Sequence, residues 1–97
     1  MPNIQFNYRY RDSANYKNFG SVIFSNPQNL TLEYVTDIIK SKLIDETWFY
    51  ASKWNLPNLF SEFNPAIDPS WHEFESVEYT NATVNVQSTI NELIEIA

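Results

Sequence analysis

The residues best suited to chemistry fall in two places. Trp71-His72-Glu73-Phe74-Glu75 holds the only histidine of the chain beside carboxylates. Tyr8-Arg9-Tyr10-Arg11-Asp12-Ser13-Ala14-Asn15-Tyr16-Lys17 is the densest cluster of ligand-capable groups. A single His allows a Ser-His-Asp arrangement only through His72. One Gly leaves no room for a nucleophile elbow, a P-loop or a dinucleotide-binding glycine motif. Neighbours on a strand face opposite ways, so His72 and Glu73 do not converge, and His72 reads as hydrogen-bonded at a sheet edge. Glu73 and Glu75 share a face and in principle form an acid–base pair, although such ladders are ordinarily solvated.

In the Arg/Tyr cluster, guanidinium forks suit phosphate or carboxylate, aromatic rings stack on bases, and Asn15 and Asp12 read amide or hydroxyl edges. Trp48, Tyr50, Lys53 and Trp54 lie on a strand expected to run nearby. Arg9, Arg11, Asn15, Tyr16, Lys17 and Trp54 therefore form one candidate set, a pocket for a phosphate-bearing nucleotide. The plainer arrangement pairs Arg9 and Arg11 across strands with Glu73, Glu75 and Glu78 while the tyrosines cover the core.

Elements must position these groups. Ile4, Phe6, Tyr8 and Tyr10 alternate with polar residues and predict a strand, and Arg11–Asn15 supplies a turn into a second strand over 16–24. The apolar set changes face near Gly20, so a bulge is expected there. Thr31 caps a helix carrying Leu32, Val35, Ile38, Ile39 and Leu43, with Leu30 and Val35 as a staple and Lys40 and Lys42 in the last turn. Thr47–Trp54 reads as a central strand from its aromatic density. Residues 55–70, with Pro57, Pro65 and Pro69, predict an ordered loop whose apolar side chains need burial, and a loop of this length is usually functional. Trp71–Tyr79 predicts a fourth strand with a bulge near Glu75-Ser76, leaving Glu73, Glu75 and Glu78 outward. A short strand at 84–86 is a further expectation, and Thr89-Ile90-Asn91-Glu92 matches a capping box before a terminal helix.

The expected fold is α+β: a single two-layer domain over residues 1–97, ββα-ββα in order, with a largely antiparallel four-stranded sheet and both helices on one face. Ninety-seven residues fit one core, and 43% hydrophobic with 16% aromatic content argues against disorder. No Cys is present, so disulfides and thiolate sites are absent. The first residues lack the apolar core of a signal peptide and no apolar run approaches a membrane span, so a cytoplasmic protein without membrane association is expected.

The formal net charge is −6, unevenly spread. All six basic residues lie within the first 53 positions, while the last 44 carry seven acids and no Lys or Arg. Broad nucleic-acid binding needs a basic stripe and is disfavoured. The leading functional expectation is a non-enzymatic, inhibitor-like or antitoxin-like protein-binding module. Trp71 would anchor, and Glu73, Glu75 and Glu78 would steer, a protein with a basic surface. No cofactor or metal is expected.

The YRD…NYK segments, WFYASKW and WHEFE together resemble a family of small uncharacterised bacterial proteins. That resemblance covers most of the chain and implies a bacterial or phage cytoplasmic setting, with no catalytic residue or cofactor to carry over.

Overall fold

The computed structural model describes residues 2–60 and 63–96. In chain order it holds β1 (Asn3–Arg11), β2 (Lys17–Phe24), α1 (Leu32–Lys42), β3 (Trp48–Phe49), a single 3-10 turn (Ala51–Trp54), β4 (His72–Thr80) and α2 (Ile90–Ile96). The strands make one antiparallel sheet in the order β2-β1-β4-β3. The chain is thus α+β, with two α-helices and a four-stranded sheet.

β1 is central because its alternation is complete: Ile4, Phe6, Tyr8 and Tyr10 are buried, and the residues between them are half exposed. The turn into β2 is built by Asp12, whose Oδ1 accepts from the backbone N–H groups of Ala14 and Tyr16, both at 2.9 Å. Asn15 supplies the left-handed residue at φ 67°. On the other side of β1, the register with β4 runs Asn7↔Ser76 and then Tyr8↔Phe74, which leaves Glu75 as the extra residue. The expected bulge is there, and it lets Phe74 and Val77 both reach the core.

Both helices start as their sequences dictate. Thr31 Oγ1 accepts from Tyr34 N at 3.2 Å, and Lys40 and Lys42 end α1 where cations favour the helix dipole. Thr89 and Glu92 form a reciprocal capping box, with Thr89 N donating to Glu92 Oε1 at 3.1 Å and Glu92 N to Thr89 Oγ1 at 3.2 Å. Val35 and Ile39 of α1 and Ile90 and Leu93 of α2 join Ile4, Phe6, Val22 and Phe24 in one hydrophobic cluster.

Three expectations are corrected. The strand expected over Thr47–Trp54 is only two residues long and lies at the sheet edge, not its centre. A 3-10 turn, closed by Asn55 in the left-handed region at φ 55°, folds the chain back so that the Phe49 and Trp54 rings approach to 4.7 Å. Aromatic density there signals burial, which a helical turn satisfies as well as a strand. Gly20 marks no bulge, since β1 and β2 pair without a register shift. It faces inward with Val22 and Phe24, and a Cβ there would stand 2.6 Å from Leu59 Cδ2; the glycine makes room for the following loop. Residues 84–86 form no strand.

That loop is ordered where it is described. Leu56 is buried, Tyr8 Oη donates to the Pro57 carbonyl at 2.6 Å, and Asn18 Nδ2 to that of Leu59 at 2.8 Å. Ser61 and Glu62, which belong to the expected loop, lie outside the described residues. Further on, Asp68 ties the loop to the β1–β2 turn: Oδ1 accepts from Ser13 N at 3.0 Å and Ser13 Oγ at 2.7 Å, and Oδ2 from Asn64 N at 2.8 Å. Tyr10 Oη donates to the Pro69 carbonyl at 2.7 Å.

Candidate functional site

Docking residues 63–71 against the β1–β2 turn and the end of β3 creates a groove of about 750 Å³. Its apolar surface comes from Trp48, Trp71, Phe63 and Ile67, and Arg11, Asp12, Asp68 and Glu73 contribute the charges. Trp71 lies edge-on to Trp48 with ring centroids 6.5 Å apart. Trp71 keeps 40% and Ile67 65% of its surface in water, although both are large and apolar. With Glu73 paired to Arg9 and Arg11, Asp12 and Asp68 supply the groove's acidic character.

Glu73 is the main departure from expectation. It is only 9% exposed, because Arg9 Nε donates to Oε1 at 2.7 Å and Arg11 Nη2 to the same oxygen at 3.3 Å. Burial pushes its pKa up, but the hydrogen bond from Arg9, the charges of Arg11 and Arg9, and a hydrogen bond from the Trp48 side chain outweigh burial and hold the carboxyl below its ordinary value. Glu73 is thus a paired structural carboxylate rather than an outward steering charge. Cross-strand pairing reaches Glu73 alone of the three acids. Glu75, at the bulge, and Glu78, further along β4, are exposed in a separate cleft with Asn7, Phe19 and Ser21. Of the expected partner-binding residues, Trp71 and Glu73 share the groove, and Glu75 and Glu78 do not.

The expected ligand set does not assemble. Arg9, Arg11 and Asn15 lie together, with Arg11 Nη1 donating to Asn15 Oδ1 at 3.1 Å, and both guanidinium groups are occupied by Glu73. Tyr16 and Lys17 are exposed on the hairpin, and Trp54 is buried in the core beside Phe6 and Phe49. Trp54 fails as a stacking surface because the 3-10 turn points it inward.

His72 is also buried, ringed by Tyr8, Tyr10, Phe49 and Phe60. Its Nε2 accepts from Leu59 N at 2.9 Å, so the proton of the neutral ring sits on Nδ1. Burial drives its pKa down to about 4. The ring therefore holds the loop to β4 as a neutral acceptor.

Sequence reasoning missed Ile67, Phe63, Asp68 and the pairing of Trp48 with Trp71. The available signal was the length of the proline-marked loop, which pointed to a role without saying where its side chains would converge. Among the described residues, no three His, Asp or Glu side chains gather to hold a metal ion, and no helix is long and apolar enough to cross a membrane. No protein-family model, curated protein or solved structure matches the chain.

Proposed function

We propose that this chain is a non-enzymatic protein-binding module, inhibitor-like or antitoxin-like, acting in a bacterial or phage cytoplasmic setting. The observation that carries the reading is the groove: exposed Trp71 and Ile67 stand beside Trp48, with Asp12 and Asp68 at its border. Large apolar side chains left in water at one concave place mark a contact surface more often than an accident of packing. An indole bordered by carboxylates suits a partner's Arg or Lys, which gains a cation–π contact and charge pairing together. The partner is accordingly a protein with a basic surface. In this reading the scaffold is a two-layer ββα-ββα domain with both helices against one face of the sheet. The half-exposed polar row Gln5, Asn7 and Arg9 on the other face supports it.

The alternative, a small-ligand binder for a phosphate-bearing nucleotide, has less support, because Glu73 already occupies Arg9 and Arg11 and Trp54 is buried. Thermal unfolding with and without a nucleotide panel separates the two. A nucleotide at 100 times its dissociation constant adds about 2.7 kcal/mol. The binding-module reading expects no such shift, and it expects protein capture that Trp71→Ala abolishes.

A further inference from the structure

β2 is an outer strand: β1 pairs with one side of it, and among the described residues no strand pairs with the other. The direction of its backbone groups is set by Ile23, whose N–H donates to Asn85 Oδ1 at 2.8 Å and whose carbonyl accepts from Asn85 N at 3.3 Å. Both bonds point away from β1. Backbone groups alternate sides along a strand, so the N–H and C=O groups of Lys17, Phe19 and Ser21 point outward as well. Among the described residues none of them is hydrogen-bonded. Their side chains share the outer face, where Phe19 is 63% exposed. Edges of this kind template another strand unless charge, proline or a bulge blunts them. Along Lys17–Ser21 the only such feature is Lys17 itself.

We propose that this edge pairs with β2 of a second copy of the chain, antiparallel and centred on Phe19 about a twofold axis. Phe19 then faces Phe19 of the second copy, and Lys17 faces its Ser21. All three outward residues fall in hydrogen-bonded pairs, each exchanging both of its bonds. The two ends of the free stretch agree with this register. Ile23, already covered by Asn85, comes opposite Asn15 of the second copy, where the strand has turned at φ 67°. Centring the pair on Lys17 or Ser21 would instead run Phe19 against Asn15 or against the covered Ile23.

Charge favours the same arrangement. Ser21 pairs with Asn7 on β1, and the Glu78 carboxylate lies over that residue, with Oε1 3.4 Å from Asn7 Nδ2 and 3.0 Å from Gln5 Nε2. A lysine reaching across Ser21 therefore meets the cleft that holds Glu78 and Glu75. Lys17 has no ion-pair partner among the described residues. Twofold symmetry would satisfy the Lys17–Glu78 contact twice.

Sedimentation velocity on the full chain, from micromolar to submillimolar concentration, tests this alongside circular dichroism for the fold. The wild type should form a dimer. Ser21→Pro removes an outward N–H that the β1 pairing does not use, and Phe19→Lys sets like charges face to face; both should be monomeric and folded. Lys17→Glu and Glu78→Lys should each weaken the dimer about tenfold, and the double reversal should restore it. If Ser21→Pro does not fold, Phe19→Lys and the charge reversal still decide. A wild type that stays monomeric throughout, a dimer that survives Phe19→Lys, or a double reversal that restores nothing would overturn the proposal.

Discussion

Arg9 Nε lies 2.7 Å from Glu73 Oε1, directly across the β1–β4 pair, and Arg11 reaches the same oxygen from one strand position beyond the next. This cluster binds the open end of the sheet to the groove floor, since Trp48 and Glu73 are themselves cross-strand neighbours. Removing the carboxylate leaves two half-buried guanidinium groups unpaired. Glu73→Ala should destabilise by about 1–3 kcal/mol, and a double-mutant cycle with Arg9→Ala should show coupling between the two. Urea unfolding reads both. Additive single effects would mean that the pair is solvated after all.

The Glu73 carboxyl, held below its ordinary pKa, also fixes a direction for acid. Its contribution is complete above the unfolded-state pKa and is lost as pH falls through the lower folded-state value. Glu73→Gln should therefore flatten the acid limb of a stability–pH curve measured by urea unfolding. An unchanged limb would contradict the assignment.

His72 acts in a different window. Burial lowers its pKa to about 4, so between the ordinary value near 6.5 and about 4 the unfolded chain takes a proton that the folded chain refuses. Stability is full above about pH 6.5 and should fall by roughly 3 kcal/mol on descending to about pH 4. His72→Gln retains an acceptor for Leu59 N–H but has no proton to bind. That variant should lose this part of the slope and keep partner capture within a few-fold. A slope that persists would show that the histidine is not its source.

Core position is tested by Phe49. It is buried beside Phe6, Tyr8, Trp54 and His72, so Phe49→Ala should cost about 3–5 kcal/mol. A shift under about 1 kcal/mol in urea unfolding would contradict its placement between β3 and the core.

At Gly20 the constraint is the Leu59 side chain, whose Cδ2 would meet a new Cβ at 2.6 Å. That methyl ends a flexible side chain that can turn aside, and alanine suits a strand better than glycine. Gly20→Ala should therefore change stability by no more than about 1 kcal/mol, and its effect should become more favourable in the Leu59→Ala background. Strictly additive effects, measured by thermal unfolding, would remove the loop from this contact.

The order of legibility follows from the range of the interactions. β1, the hairpin turn, the Thr31 cap and the Thr89–Glu92 capping box could be read because each rests on residues within a few positions of one another. The Glu75 bulge could be read because Phe74 and Val77 cannot share a face without it. The misread features depend on partners far along the chain. Gly20 is explained by Leu59, the inward turn of Trp54 by Phe6 and Phe49, and the burial of Glu73 by Arg9 and Arg11. The groove was hidden for the same reason: Trp48, Ile67 and Trp71 come together only when Asp68 hydrogen-bonds to Ser13.

The central claim is that this groove captures a protein, and quantitative affinity capture from host lysate with matched variants tests it most directly. Ile67 is 65% exposed, so Ile67→Glu should leave the thermal midpoint nearly unchanged. Trp71→Ala gives up the contact with Trp48 and should lower it modestly, so capture is compared at a temperature where every variant is folded. Truncating an anchor residue costs about 2 kcal/mol or more of binding, so each variant should reduce the partner bound to the wild type by at least about tenfold. Raising salt from 0.1 to 1 M shortens the Debye length from about 10 to about 3 Å, which should weaken capture of a basic partner further. Equal recovery by the wild type, Trp71→Ala and Ile67→Glu, with all three folded, would contradict the account.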